Sequence, residues 1–517
     1  MSSESRLQQL ASDWHRHGLA EAFAADADRA ARYRFEAAGL CLDLSRQFLD
    51  EPTLEALLDQ ARERDLGGHC AALFAGETVN PSEGRAALHM ALRDPERDWR
   101  DHGEPVSAAV SEQLRALRDF VAAVHSGEAR GVAGARFTDV VHIGIGGSHL
   151  GPQLVTSALD AVPGGLRPHF LSNVDPDQRA RVLASLDPER TLVVVVSKSF
   201  TSRETLLNAR AVRDWLVTAA GEEAVPAHFC AVSTNDRAVA EFGVAPERQF
   251  RFWDWVGGRY SVWSTVGLGA ALTVGVEQFD RLLAGAAAMD RHFESAPAAQ
   301  NLPVLLGLTG YWNHAHLGWG TRAVVPYADR LRDFPAYLQQ LEMESNGKGV
   351  DRDGRTVSRS APITWGGIGT DAQHSFFQLL HQGPAGAPVE FVLPARDDDS
   401  EAARVLTANC LAQAQALMQG RREGDPHGDC PGNRPSILIQ LSVLDAWCLG
   451  ALVVLYEHRV FVEAVLWGVN PFDQPGVELG KRLARGAEQA LSGAGEAELD
   501  APARLALKWL QAKGQQR

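Results

Sequence analysis

The stretch TLVVVVSKSFTSRET, Thr191 to Thr205, decides how the chain is read. TLVVVV is the short aliphatic run of a strand buried on both faces. A cluster of small polar residues follows, and TSRETLLNARAVRDWLVTAAG then has helical spacing. Strand, polar turn and helix make the repeating unit of a parallel sheet covered by helices. DVVHIGIGG, PHFLSNVD and HFCAVSTND lie around it in order, and the pattern returns in TRAVVPYAD, APITWGGIG, PVEFVLPA and SILIQLSV. The expectation is an α/β protein with two doubly wound modules of parallel sheet, at 106–280 and 281–485. A helical segment, 1–105, rich in Ala, Leu, Arg and Glu and expected to pack on the second module, precedes them. A helical tail, 486–517, follows.

The chain has 517 residues, 45% hydrophobic and 22% charged, which suits a globular protein of two domains. MSSESRLQQLASDWHRHG has no apolar signal core. The longest apolar stretch, SVLDAWCLGALVVLYEHRVFVEAVLW, is broken by Asp445, Glu457, His458, Arg459 and Glu463 and reads as buried helix. No membrane association is expected. Six scattered cysteines without a CxxC pair point to neither a disulfide framework nor a metal site, and His427 with Cys430 lacks a second pair of ligands. A net charge of −15 argues against a nucleic-acid partner while leaving room for a small anionic substrate.

In doubly wound sheets ligands sit beyond the carboxyl ends of the strands. After DVVHI, the turn GIGGSHLG carries His149 where the dinucleotide fingerprint needs its last glycine, and it has no Walker lysine. A merely structural turn competes with an anion site there; Ser148 favours the latter. SKSFTSRET gathers Ser197, Ser199, Thr201 and Ser202 around Lys198. Thr201 and Glu204 match a capping box, but the other hydroxyls suit a phosphate monoester at a helix N-terminus. Arg259 in VGGRYSVWSTVG can stabilise developing negative charge or simply pair with an acid. His374 in GTDAQHSFFQLLHQG is a candidate proton shuttle, His381 a structural residue, and Lys481 in NPFDQPGVELGK is uninformative alone. YLQQLEMESNGKG offers two carboxylates, Glu342 and Glu344. On a helix they flank the apolar face roughly 160° apart, so they cannot act as a pair. Gln340 shares the flank of Glu344, and periodicity alone does not choose between the acids.

IGIGGSHLGP, SKSFTSRET, VGGRYSVWSTVG, YLQQLEMESNGK, GTDAQHSFFQLLHQG, GNRPS and NPFDQPGVELGK occur in this order. Together they resemble the glucose-6-phosphate isomerase family, over roughly residues 40 to 490. The resemblance implies two sugar-isomerase modules in a cytoplasmic homodimer acting on a phosphorylated hexose, with no cofactor and no metal. It implies that Gly147, Ser148, Ser197, Lys198, Ser199 and Ser202 hold the phosphate and that Gln340 and Gln474 line the sugar site. Glu344 would move the proton between C2 and C1, and Arg259 would steady the enediolate. His374, donated by the partner subunit, and Lys481 would serve ring opening; Glu342 would be a solvated neighbour.

The sequence departs from the family pattern at Ser199 and Ser202 (commonly Thr), Pro475 (Trp), Asp371-Ala372 (Asn-Gly) and Gly367 (Glu). Three other functions compete: a non-catalytic sugar-phosphate-binding regulator, an NAD-dependent oxidoreductase and a metal-dependent hydride-shift isomerase. The joint presence of Glu344, His374, Arg259 and Lys481 counts against the regulator, and His149 against the dinucleotide enzyme.

Overall fold

The computed structural model describes residues 2–492 and 499–514; the rest of the expected C-terminal tail, 493–498 and 515–517, lies outside the described residues. Strands occur first at Arg34–Ala37 (β1) and Leu40–Asp43 (β2), and a two-residue pair follows at Arg100–Asp101 (β3) and Glu104–Pro105 (β4). The first large sheet comprises β5 (Asp139–Ile143), β6 (Arg167–Leu171), β7 (Thr191–Val196), β8 (Phe229–Val232) and β9 (Gln249–Phe250). The second contains β10 (Thr321–Pro326), β11 (Ile363–Gly366), β12 (Val389–Pro394) and β13 (Ser436–Leu441), extended by β1 and β2. The eight apolar runs picked out in the sequence are thus β5 to β8 and β10 to β13.

All six residues of β7 are buried because both of its faces are covered. Val193 and Val195 pack with Ala209, Val212 and Leu216 of the following helix, Arg203–Ala220, while Leu192, Val194 and Val196 join the larger core. The strand order β6-β5-β7-β8-β9, all parallel, reverses direction between β5 and β7. The parallel part of the second sheet, β11-β10-β12-β13, has the same reversal between β10 and β12. Such a reversal opens a crevice at the carboxyl ends of the strands.

The helix Ala446–Trp467 is buried along its length, as its apolar composition predicts, and its charged residues find partners inside the protein. It crosses the helix Val276–Ser295 at glycines on both sides. A Cβ on Gly285 would lie 2.0 Å from the Trp447 carbonyl oxygen, and one on Gly450 would lie 2.1 Å from that of Leu282. Only hydrogen atoms allow the backbones to come this close.

Three expectations are corrected. Residues 1–105 hold strands as well as helices: β2 pairs antiparallel with β13, Leu42 opposite Ile439, so this segment completes the second sheet. RFEA and LCLD are too short and too charged to announce strands alone; an open sheet edge supplies their partners. The expected boundary at 280/281 falls inside the helix Val276–Ser295, and that at 485/486 inside the helix Glu478–Leu491. The chain instead divides into Met1–Phe472 and Asp473–Arg517. The second unit contains a short 3₁₀ turn, Pro475–Val477, and the helices Glu478–Leu491 and Ala501–Gly514. Leu479 and Leu483 are exposed, one turn apart on the first of these helices. No described helix is long and apolar enough to cross a membrane.

Leu42 is fully buried in the added strand. Leu42→Ala is expected to lower stability by about 2–5 kcal/mol, measured by chemical denaturation; a loss below about 0.5 kcal/mol would mean that the hairpin is not part of the cooperative sheet.

Candidate active site

Two turns meet at the crevice of the first sheet. The β5 turn bends through Gly146, at φ 59° and ψ −125°, into the helix Gly147–Ala158. Beneath it, His142 is buried; its Nε2–H donates to the Ser148 carbonyl at 2.6 Å, and burial lowers its pKa to about 4. The β7 turn passes through Phe200, at φ 52°, into the helix Arg203–Ala220. Ser197 is buried and its hydroxyl donates to Ser202 Oγ at 3.4 Å, while Ser199 Oγ lies 2.5 Å from Thr201 Oγ1. Ser202, not Thr201, is the N-cap, and its side chain makes no capping bond. Two helix N-termini therefore follow adjacent strands, with Ser148, Ser197, Ser199 and Ser202 close to them, an arrangement that favours an anion.

Lys198 takes a different place from the one expected. Its ammonium donates to the carbonyls of Asp254 at 2.9 Å and Val256 at 3.3 Å and lies 3.4 Å from the Asp254 carboxylate. It ties the hydroxyl-rich turn to the segment leading into Arg259. The β5 turn meets that segment as well: a Cβ on Gly147 would lie 2.1 Å from Gly258 C and O. Any larger residue at 147 would push the two turns apart.

Arg259, on the 3₁₀ turn Gly258–Tyr260, is buried. Its Nε–H donates to Ser345 Oγ at 2.6 Å and an Nη2–H to the Pro471 carbonyl at 2.5 Å. Nη1 lies 3.5 Å from Glu344 Oε2. Glu344 also accepts from Gln340 Nε2 at 2.8 Å, as their spacing suggested, and that amide nitrogen would lie 2.9 Å from a Cβ on Gly146. The contacts close a ring: β5 turn, Gln340, Glu344, Arg259 and back to the β5 turn. Glu344, 24% exposed at its side chain, is open to the crevice.

The segment carrying both acids is not a regular α-helix. Phe334–Leu338 is α-helical, but Gln339–Glu344 is a π-helix, a geometry frequent at functional sites. Glu342 is not a solvated neighbour; it is 1% exposed. It accepts a hydrogen bond from Thr364 Oγ1 and lies 3.7 Å from Arg322 and 3.4 Å from Arg459. Arg459 also pairs with Glu390 at 2.7 Å and Glu463 at 3.1 Å, and Arg322 with Glu463 at 2.9 Å. Helical periodicity saw only a polar residue beside Leu338, since the arginines that receive it come from β10 and from the helix Ala446–Trp467. Three carboxylates face two guanidiniums, so burial raises the pKa of Glu342 to about 7 and of Glu390 to about 8.

The other predicted residues are His374, Gln474 and Lys481. His374 is exposed at the C-terminus of the short helix Gly369–Gln373. Gln474 and Lys481 belong to the second unit, where Lys481 is exposed and pairs with Glu478 at 2.7 Å. Residues missed by sequence reasoning surround Glu344. The Ser345 hydroxyl receives Arg259, and Lys348 Nζ donates to the carbonyls of Glu344 at 2.9 Å and Ser345 at 2.8 Å. Their only signal was adjacency to Glu344 in MESNGK.

The phosphoglucose isomerase family profile matches residues 43–503. The chain belongs to the phosphoglucose isomerase family. It is 47% identical to a glucose-6-phosphate isomerase of Xanthobacter autotrophicus, covering 95% of this chain and 94% of that one. It is 46% identical to the Brucella anthropi glucose-6-phosphate isomerase, over 95% of this chain and 93% of the other. Among solved structures, a glucose-6-phosphate isomerase of Chlamydia trachomatis superimposes with a TM-score of 0.87 at 35% identity, covering 99% of each chain. A hypothetical protein of Thermus thermophilus does so with a TM-score of 0.67 at 28% identity, over 86% of this chain and 99% of that one.

In this family member the buried cluster makes stability depend on pH. Glu342 and Glu390 have folded pKa values above their ordinary 4.5, so the folded state holds the extra proton. The stability this contributes is present below pH 4.5 and lost as pH rises through about 7 to 8. Glu390→Gln is expected to flatten the fall in unfolding free energy between roughly pH 5 and 8 by up to about 1.4 kcal/mol per pH unit, one proton's worth. An unchanged slope in pH-dependent denaturation would remove Glu390 as the proton holder.

Proposed function

We infer that the protein interconverts glucose 6-phosphate and fructose 6-phosphate through an enediolate, with Glu344 as the proton carrier. The observation that carries this reading is the ring joining Glu344 and Arg259 to a turn at the mouth of an anion-favouring crevice. Membership of the phosphoglucose isomerase family, with relatives named for the activity over nearly the whole chain, supports it.

The substrate phosphate rests on the hydroxyls of Ser148, Ser197, Ser199 and Ser202 and the amide of Gly147. Lys198 contributes as a tether behind the turn, since its ammonium is already bonded to carbonyls. This remote handle places C1 and C2 beside Glu344. In the open-chain aldose the Glu344 carboxylate takes the proton from C2, a C1–C2 double bond forms, and the C1 carbonyl oxygen gains negative charge. The Arg259 guanidinium stabilises that charge, because it stays protonated throughout. Return of the proton to C1, with transfer of the O2 proton to O1, leaves the C2 ketone. The exchange is internal to the sugar and consumes no oxidant or reductant.

Gln340 and Gln474 bind sugar hydroxyls, and His374 and Lys481 assist ring opening. The working form is a homodimer in the cytoplasm with His374 supplied by the partner, and the exposure of His374 is compatible with donation across a subunit interface. Supporting this part is membership of the phosphoglucose isomerase family.

In a coupled assay Glu344→Gln is expected to lower kcat by about 10²- to 10⁴-fold. Undiminished turnover would remove Glu344 from the mechanism, and a parent protein that binds fructose 6-phosphate without turnover would establish the regulator instead. His374→Ala is expected to slow cyclic substrate at least about tenfold more than an open-chain analogue; equal losses would exclude it from ring opening.

A further inference from the structure

The helix Gly147–Ala158 carries a buried proline inside it, Pro152. In an α-helix each carbonyl accepts from the amide four residues further on. Proline has no N–H to give, and its ring pushes against the carbonyl four residues back. The carbonyl so deprived is that of Ser148, in the first turn of the helix. Leaving such a group without a donor costs free energy, and here the donor comes from outside the helix. His142 Nε2 lies 2.6 Å from the Ser148 oxygen. A carbonyl oxygen only accepts, so the proton of the neutral ring sits on Nε2 and Nδ1 carries none.

The imidazole is fixed on every side. It is 1% exposed, and burial keeps it neutral, with a single N–H to give. His142 lies within β5, opposite Phe170 on β6 and Val194 on β7. The Phe170 ring packs on it with centroids 5.4 Å apart. Nδ1 is buried, makes no hydrogen bond among the described residues, and faces Gly269, where a Cβ would come within 2.4 Å. A Cβ on Gly144 would lie 2.8 Å from the Ser148 oxygen, so that carbonyl is packed between Gly144 and the ring.

We propose that His142 is a positioning residue for the substrate phosphate: it replaces the amide that Pro152 lacks and fixes the first turn of the helix Gly147–Ala158 to β5. The proposal rests on the reading that this turn binds the phosphate. An amide within the helix would tie the turn only to the helix. The imidazole ties it to the strand from which the turn springs, and through that strand to β7, which leads into Ser197, Ser199 and Ser202. The Ser148 hydroxyl and the Gly147 amide thus share one frame with the hydroxyls of the second turn. Without the Nε2–H, the Ser148 carbonyl turns away to find another donor and carries the first turn with it.

The test measures by calorimetry the dissociation constant of the inorganic phosphate that fructose 6-phosphate displaces. His142→Leu is expected to raise it about 5- to 30-fold. His142→Gln, whose amide nitrogen reaches the place of Nε2, is expected to stay within about threefold of the parent. The deciding variant combines His142→Leu with Pro152→Ala, which returns an N–H to the Ser148 carbonyl. It is expected to recover most of the loss, to within about threefold of the parent. A role confined to core packing at His142 is not repaired by a change at Pro152. If His142→Leu does not fold, His142→Met, which fills the space without a donor, takes its place in both measurements. A constant within about twofold of the parent in the variant without a donor, or a loss that Pro152→Ala leaves undiminished, overturns the proposal. Phosphate that fructose 6-phosphate fails to displace from the parent overturns instead the reading of the turn as the phosphate site, and the proposal with it.

Discussion

An ionised carboxylate inside a protein must be met by charge or surrender its ionisation, and Glu342 sits where two guanidiniums from different elements meet it. Arg322 comes from the second sheet and Arg459 from the central helix Ala446–Trp467. Glu342 anchors the π-helical segment to both. Once it is drawn inward, the local register of that segment turns Glu344 towards the crevice and Ser345 towards Arg259. A buried carboxylate thereby sets the direction of the more exposed one two residues on.

The site is assembled across two modules, and close backbone approach makes that possible. The first sheet contributes two turns where its strand order reverses, and the second module contributes the segment with Gln340, Glu344 and Ser345. Gly147 lets the β5 turn lie directly on Gly258, next to Arg259, while Lys198 fastens the β7 turn to Asp254 and Val256 in the same segment. The two turns and the segment carrying Arg259 are therefore linked through a few close contacts. Contacts of this kind hold the hydroxyl-rich turns and the Glu344–Arg259 pair in fixed relative geometry, the condition under which remote binding energy can become rate.

Elements whose identity depends on local pattern were legible. The eight apolar runs became strands and the charged apolar stretch near the C-terminus became a buried helix, because composition and periodicity of this strength leave few alternatives. Elements that depend on a distant partner were not. RFEA and LCLD form strands only because β13 offers an edge, and Ser202 rather than Thr201 caps its helix because the turn around Phe200 is held by distant residues: Asn235 donates to the Ser199 carbonyl and Thr234 to that of Lys198. Regular α-helical geometry also misjudged Glu342, since the π-turn that seats it is imposed by contacts from outside the segment.

By itself the sequence determined the α/β class, the strands of both parallel sheets, the hydroxyl-rich and glycine-rich turns and, through the order of its motifs, the family. Those features are encoded within windows of a dozen residues, where propensity and spacing act directly. Tertiary structure alone decided which glutamate is buried, where the Lys198 ammonium goes and how far Arg259 stands from Glu344. Each of these depends on the sum of desolvation, charge and hydrogen bonding from residues tens to hundreds of positions away. No local pattern carries that sum; only the folded chain brings its parts to one place.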